Sequence, residues 1–424
     1  MKLNKSDLLP IVVLGGVNFL TLILYLVSPF NYVYGNFALS FIYVFINIFF
    51  LFFGYILALF IFQSNSYKRS YLYDFGDEIK IFKILLFIFS STFLIRYAYL
   101  LHYQFYDISG MLEEVTIGVL DPKAGYLSTV NNTRPFTIPW SIYAFITIFH
   151  SLFFVTGAIV WKRINLFYKS AFFFFVILEI IFWYSRGTNF GIISLIILFF
   201  LAYLLRVKKI NFRFVLNISM VLFFVLFIFS LIMSVRMDGV VDLSSYEIYL
   251  TTVNYDSFVL NLFPDYLKPS VLSIFSYLTQ GYYFLSFGFD QSFNFTYFFG
   301  SNASLINIAN LIGLDVERST YVFRLSEYGI DPTVQWHSAY LWLASDLTFY
   351  FVPFYIFGLG FGLSFSWIMA TRSDDYLCKV LFIILGGYVL FLFANTNFIA
   401  SYFYIFVFVI VLILLKLFLV SLNK

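Results

Sequence analysis

SAFFFFVILEIIFWYSRGTNFGIISLIILFFLAYLL, residues 170–205, holds two apolar runs that meet at Arg186 and Gly187. A helix rises about 1.5 Å per residue, so each run is long enough to cross most of the roughly 30 Å hydrocarbon layer of a bilayer. The stretch reads as two membrane helices joined by a tight turn. The arginine at the turn has two readings. It either snorkels to lipid phosphates as an anchor, or it belongs to a site that handles an anion. In the second reading the N-terminus of the following helix, near Thr188 or Asn189, adds unpaired N–H groups and a positive dipole end, and Gly187 permits close backbone approach. Glu179, seven residues earlier on the same helix face, is an intramembrane carboxylate and so is expected either to pair with a neighbouring helix or to serve function.

The pattern of 170–205 repeats along the chain. Apolar runs at 8–28, 36–62, 81–101, 140–161, 168–184, 189–205, 214–234, 351–371, 380–396 and 399–420 predict about ten spans. The composition is 62% hydrophobic and only 11% charged, which excludes a soluble domain. A β-barrel is excluded because its strands would alternate over about ten residues. The expected fold is therefore an all-α, polytopic membrane bundle, taken as a single domain over 1–424. The first run follows MKLNK without a small-residue cleavage site and is expected to be a retained helix. With Cys378 as the one cysteine, neither an internal disulfide nor a cysteine metal cluster is available.

Charge sets the expected orientation. With the N-terminus cytoplasmic, the inner segments collect Lys2, Lys5, Lys68, Arg69, Lys80, Lys83, Lys162, Arg163, Lys169, Arg206, Lys208, Lys209, Arg213, Arg372, Lys379, Lys416 and Lys424. Every short inner loop is then basic, as the positive-inside rule requires. Arg96, Lys123, Arg134, Arg186, Arg236, Lys268, Arg318 and Arg324 remain at the outer ends. Most of these are arginine, the side chain suited to bidentate contact with phosphate oxygens. Two outer segments are long, about 102–139 and 235–337, and loops of that size usually carry function. Asp374 and Asp375 fall in a short inner loop and are expected to be solvated acids.

Chemistry concentrates in RSTYVFRLSEYGIDPTVQWHSAYLWLASD, residues 318–346, which brings together Arg318, Arg324, Glu327, Asp331, His337 and Asp346. His337 is one of three histidines. A neutral imidazole can accept the proton of a hydroxyl nucleophile, or simply sit hydrogen-bonded at the interface. No metal or nucleotide motif is present.

YLTQGYYFLSFGFD (277–290), FNFTYFFGSNAS (293–304) and YVFRLSEYGIDPTVQWHSAYLWLASDLTFYFVPFYIFGLGFG (321–362) resemble the oligosaccharide repeat unit polymerases, the Wzy-type O-antigen polymerases of bacteria. Members commonly carry a Tyr-Leu-Thr-Gln-Gly-Tyr-Tyr run. A Trp-His-Ser/Thr-x-Tyr-x-Trp run follows, leading to Ser-Asp and a Gly-rich helix. The Ser-Arg-Gly turn resembles one shared with O-antigen ligases, and His337-Ser338-x-x-Leu341 resembles their His-Asn/Ser-x-x-Leu run. The match covers roughly residues 185–365, the N-terminal half agreeing in topology alone. Phe295-Thr296-Tyr297 departs from it, since Trp is expected before the Thr.

The resemblance implies a GT-C-like membrane fold and a metal-independent, cofactor-free glycosyltransferase in the bacterial inner membrane. It would transfer a growing glycan from undecaprenyl diphosphate to the non-reducing end of a lipid-linked repeat unit, on the outer face. His337, Arg186 and Arg324 are then the catalytic candidates, with His337 activating the acceptor hydroxyl and arginines meeting the diphosphate. Arg236, Arg318 and Arg134 are further anion contacts, and Glu327 or Asp346 orients His337 or an arginine. Gln280, Tyr282, Tyr283 and Trp336 offer contacts to sugar or lipid. The implied partners are undecaprenyl-diphosphate-linked oligosaccharide, membrane lipid and a chain-length regulator, and neither a metal nor nucleic acid is expected. An O-antigen ligase shares the turn and the histidine run. A flippase or transporter would be equally apolar but should carry inverted repeats and midplane charges.

Overall fold

Helices account for nearly all the regular structure in the computed structural model, which describes residues 6–64, 77–130, 139–188, 190–207, 247–332 and 335–422, with the single residues 216, 220 and 243. In chain order these are α1 (Leu9–Leu26), α2 (Phe37–Ser64), α3 (Glu78–Leu101), α4 (Ile108–Leu120), α5 (Pro122–Val130), α6 (Trp140–Val160), α7 (Leu166–Ser185), α8 (Phe190–Leu204), α9 (Phe258–Asn261), α10 (Lys268–Gly288), α11 (Ala303–Leu311), α12 (Tyr321–Arg324), α13 (Ala339–Arg372), α14 (Tyr376–Leu390), α15 (Asn397–Ser401) and α16 (Phe403–Leu422). Six of them, α1, α2, α3, α6, α7 and α13, are long and apolar enough to cross a membrane, and α8, α14 and α16 are shorter apolar helices. Each lies on an expected span. The remaining span, 214–234, falls outside the described residues apart from Leu216 and Met220.

The described residues form two compact units, one from 1–66, 240–368 and 385–401 and the other from 67–239, 369–384 and 402–424. In the first, β1 (Phe30–Tyr32) pairs antiparallel with β2 (Thr251–Val253), Phe30 opposite Val253 and Tyr32 opposite Thr251. Tyr32 bonds Ser28 (2.9 Å) and Thr279 (3.0 Å), and Asn18 of α1 donates to the carbonyls of Leu14 (3.0 Å) and Val389 (2.8 Å). Such bonds matter in an apolar interior, where an unsatisfied polar group costs about 1–3 kcal/mol.

Helix α13 starts twelve residues before the expected span because it is two helices in series, broken at Thr348 (φ 61°, ψ 161°). Residues 339–346 before the break are buried. After it, Pro353 has no N–H for the carbonyl of Phe349 four residues back, and the Tyr43 hydroxyl donates to that carbonyl instead (2.9 Å).

The second unit corrects the expectation for the inner loop. Asp374 is exposed, but Asp375 is buried against Lys416 (2.5 Å) and accepts from the Cys378 N–H (2.8 Å), capping α14. Beside it, Lys379 bridges Glu78 (2.6 Å) and Asp374 (2.5 Å), and Arg163 also meets Glu78. Two carboxylates thereby tie α3, α14, α16 and the residues after α6. Breaking one partner of a buried pair leaves an uncompensated charge, at a cost of about 3–5 kcal/mol. Asp375→Asn and Lys416→Met are each expected to lower the thermal midpoint of detergent-purified protein, and the double variant to recover most of the loss. Single variants as stable as wild type would refute this account.

Candidate functional site

The sequence candidates fall in both units. In the second, the Ser185-Arg186-Gly187 turn ends α7 with Gly187 in the left-handed region (φ 59°). It is gripped by α4 and α5, which local chemistry starts cleanly. Asp107 accepts from the Gly110 N–H (3.0 Å), and Asp121 accepts from the Lys123 and Ala124 N–H groups (3.0 Å each), with Pro122 opening α5 where its missing N–H costs nothing. Gly118 of α4 and Gly125 of α5 lie directly on the Ser185 carbonyl, and Gly187 lies on the carbonyl of Pro122. A Cβ at any of the three would collide with backbone, so the arginine turn is fixed by three glycines. The glycine pair seven residues apart around Pro122 is the sequence signal for this clasp.

The Arg186 guanidinium lies over the rings of Phe182 (5.6 Å) and Trp183 (5.5 Å), within cation–π range. Burial disfavours its charged form and pushes its pKa down. The Trp183 Nε1–H donates to Glu179 Oε1 (2.9 Å). Glu179 is held in turn by the two arms of Arg96 (2.7 and 2.9 Å) and by the Tyr97 hydroxyl (2.9 Å). The open question about Glu179 resolves as a buried, bidentate pair. Arg96, grouped by sequence with the outer-end basic residues, is committed to that pair. Arg186 is therefore carried against two rings, one of them an indole fixed by a buried ion pair.

In the first unit, His337 is buried beside the Phe284 ring (5.4 Å), and neither ring nitrogen has a hydrogen-bond partner. Burial lowers its pKa from 6.5 to about 3, a shift that Asp331 partly opposes, so the imidazole is neutral at pH 7. Gly281, in the middle of YLTQGYY, lies against the Ser338 backbone nitrogen and the carbonyl of Phe393, and the Ala339 N–H donates to the Leu392 carbonyl (3.0 Å). The glycine of the first motif is thus what lets α10 reach the backbone of the second. The adjacent Ser338 and Tyr340 hydroxyls are also buried without partners.

Several other candidates sit where the sequence did not place them. Tyr282 and Tyr283 belong to the core, since both are buried and both hydroxyls are taken by protein partners. The Tyr282 hydroxyl bonds Thr21 (2.9 Å), and that of Tyr283 donates to the Leu250 carbonyl (2.8 Å). Their rings pack on Tyr25 (5.7 Å) and Tyr32 (4.8 Å) as core. Asp346 orients neither His337 nor an arginine, because its oxygens accept from Thr296 (2.5 Å), Gly300 N–H (2.7 Å) and Ser301 N–H (2.8 Å). Arg324 donates to the Ser292 carbonyl (2.7 Å) and lies over the Tyr321 ring (4.9 Å). Gln280 is buried on α10, Trp336 is half-buried with its ring edge on Tyr277 (4.9 Å), and Arg318 and Glu327 are exposed. Arg134 and Arg236 lie outside the described residues.

Comparisons of the chain with protein-family models, with curated proteins and with solved structures each find no match.

Proposed function

We propose that the protein is a membrane polysaccharide polymerase of the Wzy type, a GT-C-like bundle of about ten spans with both termini cytoplasmic. It moves a growing glycan from undecaprenyl diphosphate to the non-reducing end of a lipid-linked repeat unit. The acceptor hydroxyl attacks the anomeric carbon as the carbon–oxygen bond to diphosphate breaks, its proton passes to His337, and undecaprenyl diphosphate leaves with inversion. Arg186 meets the charge developing on the leaving group, where a preorganised cation is most effective in a water-poor setting. Arg324 serves indirectly in this scheme, through the backbone it holds.

The observation that most supports the reading is His337. A buried imidazole with both nitrogens unpartnered costs stability, and neither nitrogen is used by the fold. Gly281 of the polymerase-like run lies on the backbone of Ser338, the next residue. Purified protein in lipid discs, given one defined undecaprenyl-diphosphate repeat unit, is expected to yield a ladder of lengthening products on a gel. A single unextended band refutes polymerisation. Transfer only onto lipid A core favours the ligase, and translocation of labelled lipid-linked sugar in vesicles without elongation favours the flippase.

A further inference from the structure

The loop FNFTYFFGS, residues 293–301, is built in an unusual way. Tyr297 and Phe298 both have left-handed backbones (φ 53° and 64°), a region that bulky side chains avoid and that costs about 1–3 kcal/mol per residue. Buried groups hold them there. The Asp346 carboxylate takes two backbone N–H groups and the Thr296 hydroxyl, which also reaches the Ser345 carbonyl (2.7 Å). Arg324 holds the carbonyl of Ser292 at the other end. Gly300 closes the turn against Thr296, where a Cβ would press on its hydroxyl. This framework points rings outward. Phe295, Tyr297 and Phe298 are 47%, 58% and 62% exposed, and Phe295 packs on both of the others (5.1 and 5.3 Å).

Clustered aromatic rings are poor company for water. The attachment point indicates what they meet. Ser345 and Asp346 lie two or three residues before the break at Thr348, after which α13 runs on to Arg372. That stretch is about 36 Å long at 1.5 Å per residue, enough to span the bilayer, and its first turns expose Tyr350, Phe351 and Phe354. The loop is thus tied to α13 at the start of the stretch long enough to span, whose own first turns expose aromatic rings. Tyr and Phe at that depth suit the head-group region, which accepts an apolar ring with a polar edge.

We infer that residues 293–298 form a rigid aromatic prong that inserts into the lipid head-group layer beside α13, with Asp346 and Arg324 as its struts. This reading stands apart from the polymerase proposal. It gives the Phe295-Thr296-Tyr297 departure a local meaning, since each ring there serves the membrane contact.

The test is depth. Phe298→Cys and, separately, Tyr297→Cys would carry a nitroxide in nanodiscs of phosphatidylethanolamine and phosphatidylglycerol. Wild type would control for the buried Cys378, and exposed Asp315→Cys would serve as the aqueous reference. Power saturation should give both prong labels a several-fold lower collision rate with a water-soluble nickel chelate than the reference, a raised collision rate with oxygen, and a depth of about 5–10 Å. Adding Asp346→Asn should narrow the label's spectrum as the loop loosens. Chelate collision equal to the reference in both variants would overturn the inference. Protection that appears only on adding free polysaccharide would overturn it in favour of a glycan contact.

Discussion

Replacing His337 with leucine is expected to abolish polymer formation while leaving the protein at least as resistant to thermal unfolding as wild type. The two effects have opposite signs for one physical reason. The imidazole is buried with both nitrogens unpartnered, and an apolar side chain of similar volume removes that cost of about 1–3 kcal/mol. The same exchange removes the proton acceptor, and losing a general base typically slows a reaction about 10²–10⁴-fold. His337→Gln should also be inactive, because an amide hydrogen-bonds but does not take the proton. Chain length in a deletion strain, at matched protein abundance, checks both. Full-length polysaccharide from either variant would remove His337 from the mechanism.

Acidity gives the same residue a second signature. An exposed histidine protonates near pH 6.5, whereas burial holds His337 neutral down to about pH 3. The acid limb of polymer synthesis should therefore lie well below pH 6, and a limb centred near 6.5 would assign the proton transfer to another group. The stability linkage has a definite sign. Between about pH 6.5 and 3 the unfolded chain binds a proton at this position that the folded chain does not. Above pH 6.5 the imidazole is neutral in both states and this linkage is absent, and stability falls as the pH drops through that window.

Hydropathy placed the described helices well because crossing hydrocarbon imposes a length that composition must carry. The same signal is silent on which way a ring faces. A phenylalanine on lipid and one in the core satisfy hydropathy equally, so Tyr282 and Tyr283 read as ligand faces although both are core. Charges misled for a related reason. Arg96, Asp346 and Asp375 were weighed by their position along the chain, but each is used by a partner distant in sequence, Glu179, the Thr296–Ser301 backbone and Lys416. Glycines carry more of the packing than hydropathy does. Gly118, Gly125, Gly187 and Gly281 mark where one backbone lies on another, and two of them sit inside the Ser-Arg-Gly and Gln-Gly-Tyr-Tyr motifs. His337 was legible because a scarce residue type stood within a recognisable run, and its burial was not.

Arg186→Ala is expected to reduce polymer synthesis by about 10²-fold, in line with the loss of one charge-stabilising group, and Arg186→Lys is expected to restore little of it. The reason lies in the shape of the group. The Arg186 guanidinium lies over the Phe182 and Trp183 rings and offers several donors in a fixed planar fork, whereas an ammonium is a compact point charge. Neither variant should lower abundance much, since Arg186 ends its helix and carries no part of the Arg96–Glu179 pair. Glu179→Gln should behave in the opposite way. It leaves Arg96 buried without its carboxylate, so folded protein falls, at a cost of about 3–5 kcal/mol. Trp183→Phe separates the two roles, because the ring under Arg186 remains while the Nε1 bond to Glu179 is lost. If the two rings position Arg186, this variant accumulates normally and polymerises at an intermediate rate. If Arg186 only anchors the helix end in lipid, Arg186→Ala and Trp183→Phe will both make polysaccharide at the wild-type rate once abundance is matched. That outcome would leave the leaving group to other cations.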